Sequence, residues 1–188
     1  SSDLTDNGLF KFECFDCITT LSEEPVLTLS NIQPDGTFLY GTNTGKVYTW
    51  QPTGKSTLWY QSKRRQQIVA LYKDYSGKLI LCGDAFSVHN GNSAGVEVLL
   101  AVKDMVPLSA NEFALARTGG VSLLSFDKAK YDERKHKMVL EQADYIIYEK
   151  YIINNTNLRA KSVVYDSLHN IIYAADRKST RLNSSHLV

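Results

Sequence analysis

The chain has 188 residues, 43% hydrophobic and 22% charged, and its 21 Lys+Arg against 20 Asp+Glu give a formal charge of +1. That profile fits a folded globular protein and excludes a disordered or collagen-like chain. The near balance of charge argues against a nucleic-acid binder working through a basic surface, and no apolar run approaches the ~18–20 residues that span a bilayer.

Phe10-Lys11-Phe12-Glu13-Cys14-Phe15 alternates aromatic and polar residues and predicts a strand. It runs into Cys14-Phe15-Asp16-Cys17, a C-x-x-C pair. A zinc site needs four ligands and the third cysteine, Cys82, sits inside a strand run, so the pair reads as structural before it reads as zinc or redox. Three cysteines make no disulfide framework, which favours a reducing, cytoplasmic compartment. Val26–Leu29 is the next strand. Asp35-Gly36 turns the chain into Thr37–Tyr40, Thr44-Gly45 turns it into Lys46–Trp50, and Thr53-Gly54 turns it into Ser56–Tyr60. These runs predict four strands joined as one meander, with glycine at turn positions where φ > 0 costs it little.

The same order recurs. Ile68–Leu71 precedes Ser76-Gly77 and Lys78–Gly83; Met105–Leu108 precedes Ala110-Asn111 and Glu112–Ala116; Ser162–Tyr165 precedes His169-Asn170 and Ile171–Ala174. The turn markers Gly36, Gly77, Asn111 and Asn170 lie 41, 34 and 59 residues apart. Thr44-Gly45-Lys46-Val47 and Thr118-Gly119-Gly120-Val121 share a T-G-x-V pattern 74 residues apart. Within the long interval, Asp127–Lys137 carries eight charged residues in eleven and reads as a solvated insert, with Met138–Leu140 returning as an outer strand. Tyr145–Tyr148 and Tyr151–Ile153 are apolar enough to pack, but the repeat assigns them no position. Phe38, Tyr40, Val47, Leu79, Leu81, Leu115 and Val163 are the expected packing residues between sheets, with Lys63–Arg65 and Asp132–Lys137 exposed.

A four-strand unit recurring every ~40–45 residues is the mark of a β-propeller blade. The segment Asp35–Trp50, with the pattern D-G-x-x-x-x-G-T-x-x-G-x-x-x-x-W, resembles the middle hairpin of a divergent WD40-like repeat, including those of the echinoderm microtubule-associated-protein-like family. No Gly-His dipeptide opens a repeat and no Trp-Asp closes one. Val164-Tyr165-Asp166 through Tyr173 is also similar to YWTD and NHL propellers. The expected fold is all-β, a partial propeller of about four blades over residues 1–175, with open edges.

Residues 176–188 form a separate tail. Asp176-Arg177-Lys178-Ser179-Thr180-Arg181-Leu182-Asn183-Ser184-Ser185-His186 resembles the single-frame translation of a common sequencing adapter. The tail is therefore expected to be non-native and to form an exposed, weakly contacting extension. Setting it aside removes three basic residues and one acidic residue and turns the charge of +1 into −1.

The resemblance implies a non-catalytic protein-interaction scaffold, since a propeller gathers one loop from each blade onto a face. Its partners would be proteins, cytoskeletal if the microtubule-associated likeness carries over. No catalytic residue, cofactor or metal ligand stands out. His89, His136 and His169 read as turn or surface residues. The candidate partner contacts are Trp59 and Tyr60 on an outer strand and the basic run Lys63-Arg64-Arg65 after it; core packing and a solvated loop are the plainer readings of each. Two alternatives remain. One is a propeller enzyme holding a metal or quinone through groups such as Asp84, Asp104 and Asp166, residues that elsewhere more often cap turns. The other is an extracellular YWTD- or NHL-type ligand-binding propeller.

Overall fold

The computed structural model describes residues 9–14, 17–22, 24–75, 79–83, 85–90, 96–126, 137–142, 145–176 and 183–186. The described residues form strands and turns with no helix, and the protein is all-β. Its chain divides into two compact units, Ser1–Leu99 and Leu100–Val188.

In the first unit, β1 (Leu9–Cys14) and β2 (Cys17–Ser22) pair as an antiparallel ribbon, with Cys14 opposite Cys17. The two cysteines of the C-x-x-C thus face each other on paired strands rather than opening a helix. The expected meander is present: β3 (Val26–Leu29), β4 (Phe38–Thr42), β5 (Lys46–Trp50) and β6 (Ser56–Gln61) form one antiparallel sheet in the order β3-β4-β5-β6. Its strands alternate. On one face, Phe38 stacks on its cross-strand neighbour Trp50 at 5.0 Å and Tyr40 on Tyr48 at 5.1 Å. Such cross-strand aromatic pairs fix register. On the other face lie Leu39 and Val47, both buried.

That second face packs on the next sheet, which holds β7 (Ala70–Lys73), β8 (Leu79–Gly83) and β9 (Ala85–Asn90) in antiparallel succession. Leu39, Val47, Ile68 and Leu71 make a buried cluster there, with Trp59 and Tyr60 against it. Ile68 is fully buried at 0% exposure. It seats over Gly41, where a β-carbon would lie 2.5 Å from Ile68 Cγ2. The Ile68 N–H donates to the Thr42 carbonyl at 3.1 Å, holding the incoming segment against β4.

β10 (Val96–Ser109) carries the chain into the second unit, which also contains β11 (Glu112–Ser125), β12 (Lys137–Gln142), β13 (Tyr145–Asp166), β14 (Ile171–Asp176) and β15 (Asn183–His186). β10 pairs with β11, β11 with β13, β12 with β13, and β13 with β14, all antiparallel. β11 is no straight strand. Fully extended, its length would be about 45 Å, yet Phe113 and Phe126 have ring centroids 6.1 Å apart and Phe126 N–H donates to the Asn111 carbonyl at 2.8 Å. β11 folds back on itself at Thr118-Gly119-Gly120, where Gly119 and Gly120 have φ of +95° and +138°. The second T-G-x-V therefore marks a turn, as the first does. Ala114, Ala116, Val121, Ala160, Val163, Ile172 and Ala174 form the buried core of this unit. Four of them are alanines, whose small side chains permit close approach of the strands that carry them.

Of the expected packing residues, Tyr40, Val47, Leu115 and Val163 are buried and Phe38 is half-buried. The Leu79 and Leu81 side chains and the span Asp132–Lys137 lie outside the described residues and side chains. Lys63, Arg64 and Arg65 are exposed. The apolar runs left unplaced at Tyr145–Ile153 belong to β13, and Met138–Leu140 belongs to β12, which pairs directly with β13.

The tail, expected as a weakly contacting extension, is paired along part of its length. Asp176 ends β14, and Asn183–His186 pairs along it with Ala174 opposite Asn183 and Ile171 opposite His186. The reason lies in the backbone. An open strand edge offers N–H and C=O groups that accept any extended segment, whatever its side chains. Asn183–His186 carries no aliphatic residue to add burial. Ordering costs of ~1–2 kcal/mol per residue then roughly cancel gains of about 0.5–1.5 kcal/mol per hydrogen bond. Deleting 177–188 should leave the melting temperature within about a degree of the full chain; a drop of several degrees in calorimetry would make the tail part of the fold.

Packing over Gly41 generates a second prediction. Ile68→Ala should destabilise the first unit by about 2–4 kcal/mol. Gly41→Ala should cost about 1–3 kcal/mol through overpacking. Because both act at one contact, the double variant should lose less than the sum of the two in urea unfolding.

Candidate functional site

The five candidate contact residues occupy β6 and the loop that follows it. Three backbone bonds shape that loop. Ser62 N–H donates to the Gly45 carbonyl at 2.8 Å, Arg65 N–H donates to the Ser62 carbonyl at 3.0 Å, and Ile68 N–H closes the loop on Thr42. The Gln61 side-chain amide adds bonds to the Thr44 and Gly45 carbonyls at 3.2 and 3.3 Å. The loop is thereby strapped to the β4–β5 turn. Gly45 has a φ of +80°, and a β-carbon there would sit 2.7 Å from the Gln66 carbonyl oxygen, so the strap requires glycine on both counts. Arg65 itself adopts a φ of +51°. The result is a fixed turn that presents Lys63, Arg64 and Arg65 side by side to solvent.

Trp59 and Tyr60 are half-buried. Adjacent residues of a regular strand point to opposite faces, yet both rings meet His89: Trp59 at 4.8 Å and Tyr60 at 4.5 Å, each edge-on. A β-bulge explains this. Val47 pairs with Tyr60 but Tyr48 pairs with Leu58, so Trp59 is the extra residue on β6. His89 is not the turn residue its neighbours Asn90-Gly91 suggested. It lies in β9, opposite Ile80, only 2% exposed, with its Nε2 2.9 Å from Ser87 Oγ. β9 went unread because Ala85–Asn90 lacks the β-branched density of the other strands. The two aromatic candidates thus contribute mainly to packing, and the basic loop beside them is the exposed feature.

On the opposite side of the β4–β5 turn, Glu24 gathers a polar cluster. Its carboxylate pairs with Lys46 Nζ and accepts hydrogen bonds from Tyr48 Oη at 3.1 Å and Thr44 Oγ1 at 3.4 Å. Partial burial pushes the Glu24 carboxyl up, but the hydrogen bonds from Lys46 and Tyr48 outweigh it and hold the group below 4.5. The Glu24 carboxylate in turn raises Lys46. Sequence reading passed over Glu24 because its partners lie 20 or more residues away.

Two of the acidic residues named for metal or quinone binding, Asp104 and Asp166, make structural contacts. Asp166 caps the β13–β14 turn, accepting from Leu168 N–H at 3.0 Å, His169 N–H at 3.2 Å and the His169 ring at 2.7 Å. The His169 hydrogen bond draws its pKa down, and His169 is exposed in a turn as expected. Asp104 binds Ser162 Oγ at 2.7 Å and Val163 N–H at 3.0 Å, joining β10 to β13. Asp84 and His136 lie outside the described residues. Among the described residues, no group of three His, Cys, Asp or Glu is placed to hold a metal ion, and no helix is long and apolar enough to cross a membrane.

No family model matches the chain, and no curated protein matches it. Among solved structures, the crystal structure of the computationally designed Ika4 protein superposes with a TM-score of 0.55 at 12% identity, covering 89% of this chain and 94% of that one. At that identity the likeness speaks to the fold alone.

Glu24 supplies a pH prediction. Its folded pKa lies below the ordinary 4.5, so its stabilising contribution is complete above that value and is lost as pH falls through the folded value. A carboxyl-detected NMR titration should give Glu24 a midpoint below 4.5, and Lys46→Met should move that midpoint upward. A midpoint unmoved by Lys46→Met would remove the ion pair as its cause.

Proposed function

We propose that the chain is part of a WD40-like β-propeller and serves as a non-catalytic platform for protein partners. The observation that carries this reading is the stacking of Leu39 and Val47 of one four-stranded antiparallel meander on Ile68 and Leu71 of the next segment. Face-to-face packing of successive short antiparallel sheets is how a propeller buries its core. The fold-back of β11 at Thr118–Gly120 restores the hairpin turn that the repeat requires in the second unit. The scaffold reading takes further support from the roles of the polar groups: Asp104 and Asp166 are engaged in joining strands and capping a turn. A reducing, cytoplasmic setting accords with three cysteines and no disulfide framework.

The partner surface in this reading is the strapped basic loop. Three cations held by a rigid turn lose little conformational entropy on meeting an acidic surface, and complementary charge raises the rate of encounter. Cytoskeletal filaments are the partner class that the microtubule-associated resemblance brings with it.

Co-sedimentation with polymerised microtubules tests this. The chain should pellet with the polymer in a salt-sensitive manner, and Lys63→Ala/Arg64→Ala/Arg65→Ala should weaken binding about tenfold or more and flatten the salt dependence. Pelleting that the triple substitution leaves unchanged would exclude the loop as the contact. No pelleting at low salt would exclude the filament as the partner.

A further inference from the structure

A second basic feature lies in the other unit, in a place the sequence did not mark. A cleft of about 290 Å³ is lined by Lys103, Thr118, Arg159, Ala160 and Lys161. Three strands meet there. Lys103 comes from β10, Thr118 from the turn of β11, and Arg159–Lys161 from the point where β13 changes partner from β11 to β14. Ala160 is 1% exposed and forms the floor, part of the buried core. Arg159 and Lys161 on either side of it are exposed.

Two bulges shape this cleft. Val102 pairs with Arg117 and Asp104 with Ala116, which leaves Lys103 as the extra residue on β10. Ala160 pairs with Asp176 and Ser162 with Ala175, which leaves Lys161 as the extra residue on β13. A bulge withdraws a residue from the ladder and re-aims its side chain, and bulges gather beside functional sites. Here each of two bulges carries a lysine that lines the same cleft. The strands beneath are tied together: Asp104 accepts hydrogen bonds from Ser162 Oγ at 2.7 Å and Val163 N–H at 3.0 Å, and its other oxygen takes Met105 N–H at 2.9 Å. That carboxylate is thus committed to fixing the two bulged strands next to each other, and the lining among the described side chains is cationic and hydroxylic.

We propose that this cleft binds a phosphoryl group. Lys103 and Lys161 would supply two ammonium charges, Arg159 a planar fork matched to two phosphoryl oxygens, and Thr118 a hydroxyl donor. A doubly charged oxyanion suits three cations better than a single carboxylate does. The volume leaves room beyond the phosphoryl group for the molecule or side chain that carries it. The proposal rests on the second unit alone and stands apart from the scaffold reading.

Titration of the full chain, followed by amide and side-chain NMR and by calorimetry, tests it with four probes: inorganic phosphate, O-phosphoserine, a phosphoserine peptide and the same peptide with glutamate. Phosphate and O-phosphoserine should give saturable shifts at Thr118–Gly119 and Arg159–Lys161. Arg159→Gln and Lys161→Gln, both exposed and placed to leave the fold intact, should each weaken binding about tenfold or more. Lys55→Gln, on a loop of the other unit, should leave it unchanged. Tighter binding of the phosphopeptide than of O-phosphoserine would identify the carrier as a phosphorylated side chain; equal binding would identify a small phosphate ester. Absence of saturable shifts, equal loss in the Lys55→Gln control, or equal binding of the glutamate peptide would overturn the assignment.

Discussion

The seat of Ile68 on Gly41 is the contact on which the first unit depends. A sheet face can approach another closely only where a side chain is missing to receive a protruding one, and β4 supplies that gap between Leu39 and the β4–β5 turn. The backbone bond from Ile68 to Thr42 then fixes the height at which the next strand enters. Burial of one isoleucine is worth about 1.5–3 kcal/mol, but its consequence is larger than that sum. With Ile68 placed, Leu71 joins the same buried cluster, and the loop between β6 and β7 is held at its Ile68 end by the bond to Thr42.

The basic loop inherits its order from that arrangement. Ser62, Arg65 and Ile68 each bond to a carbonyl at or near the strap, and Gly45 gives the space for it. Lys63, Arg64 and Arg65 therefore project from a turn whose two ends are pinned. The neighbouring aromatics work in the opposite sense. One inserted residue on β6 brings Trp59 and Tyr60 together on the buried His89, so bulk that would otherwise be divided between two faces fills one. In the second unit the same device, an extra residue in a strand, sets the positions of Lys103 and Lys161. Bulges, rather than turns, are what distinguish the chemically notable parts of this protein from plain antiparallel sheet.

The sequence by itself determined the class of structure and the first sheet. Alternation and turn residues are local signals: Asp35-Gly36, Thr44-Gly45 and Thr53-Gly54 specify tight reversals between runs of β-formers, and no distant contact is needed to make them so. The same local logic located the hairpin at Thr118-Gly119, the turn at His169-Asn170 and the exposure of Lys63–Arg65. What only the tertiary structure decided is non-local. A register slip of one residue leaves no trace in composition, so the bulges at Trp59, Lys103 and Lys161 were invisible, and with them the aromatic box around His89 and the cationic cleft. Glu24 meets Lys46 and Tyr48, and Asp104 meets Ser162, across intervals of 22 to 58 residues that no spacing rule encodes. The pairing of Asn183–His186 with β14 is decided by an edge: backbone groups accept a strand that the side chains give no reason to expect.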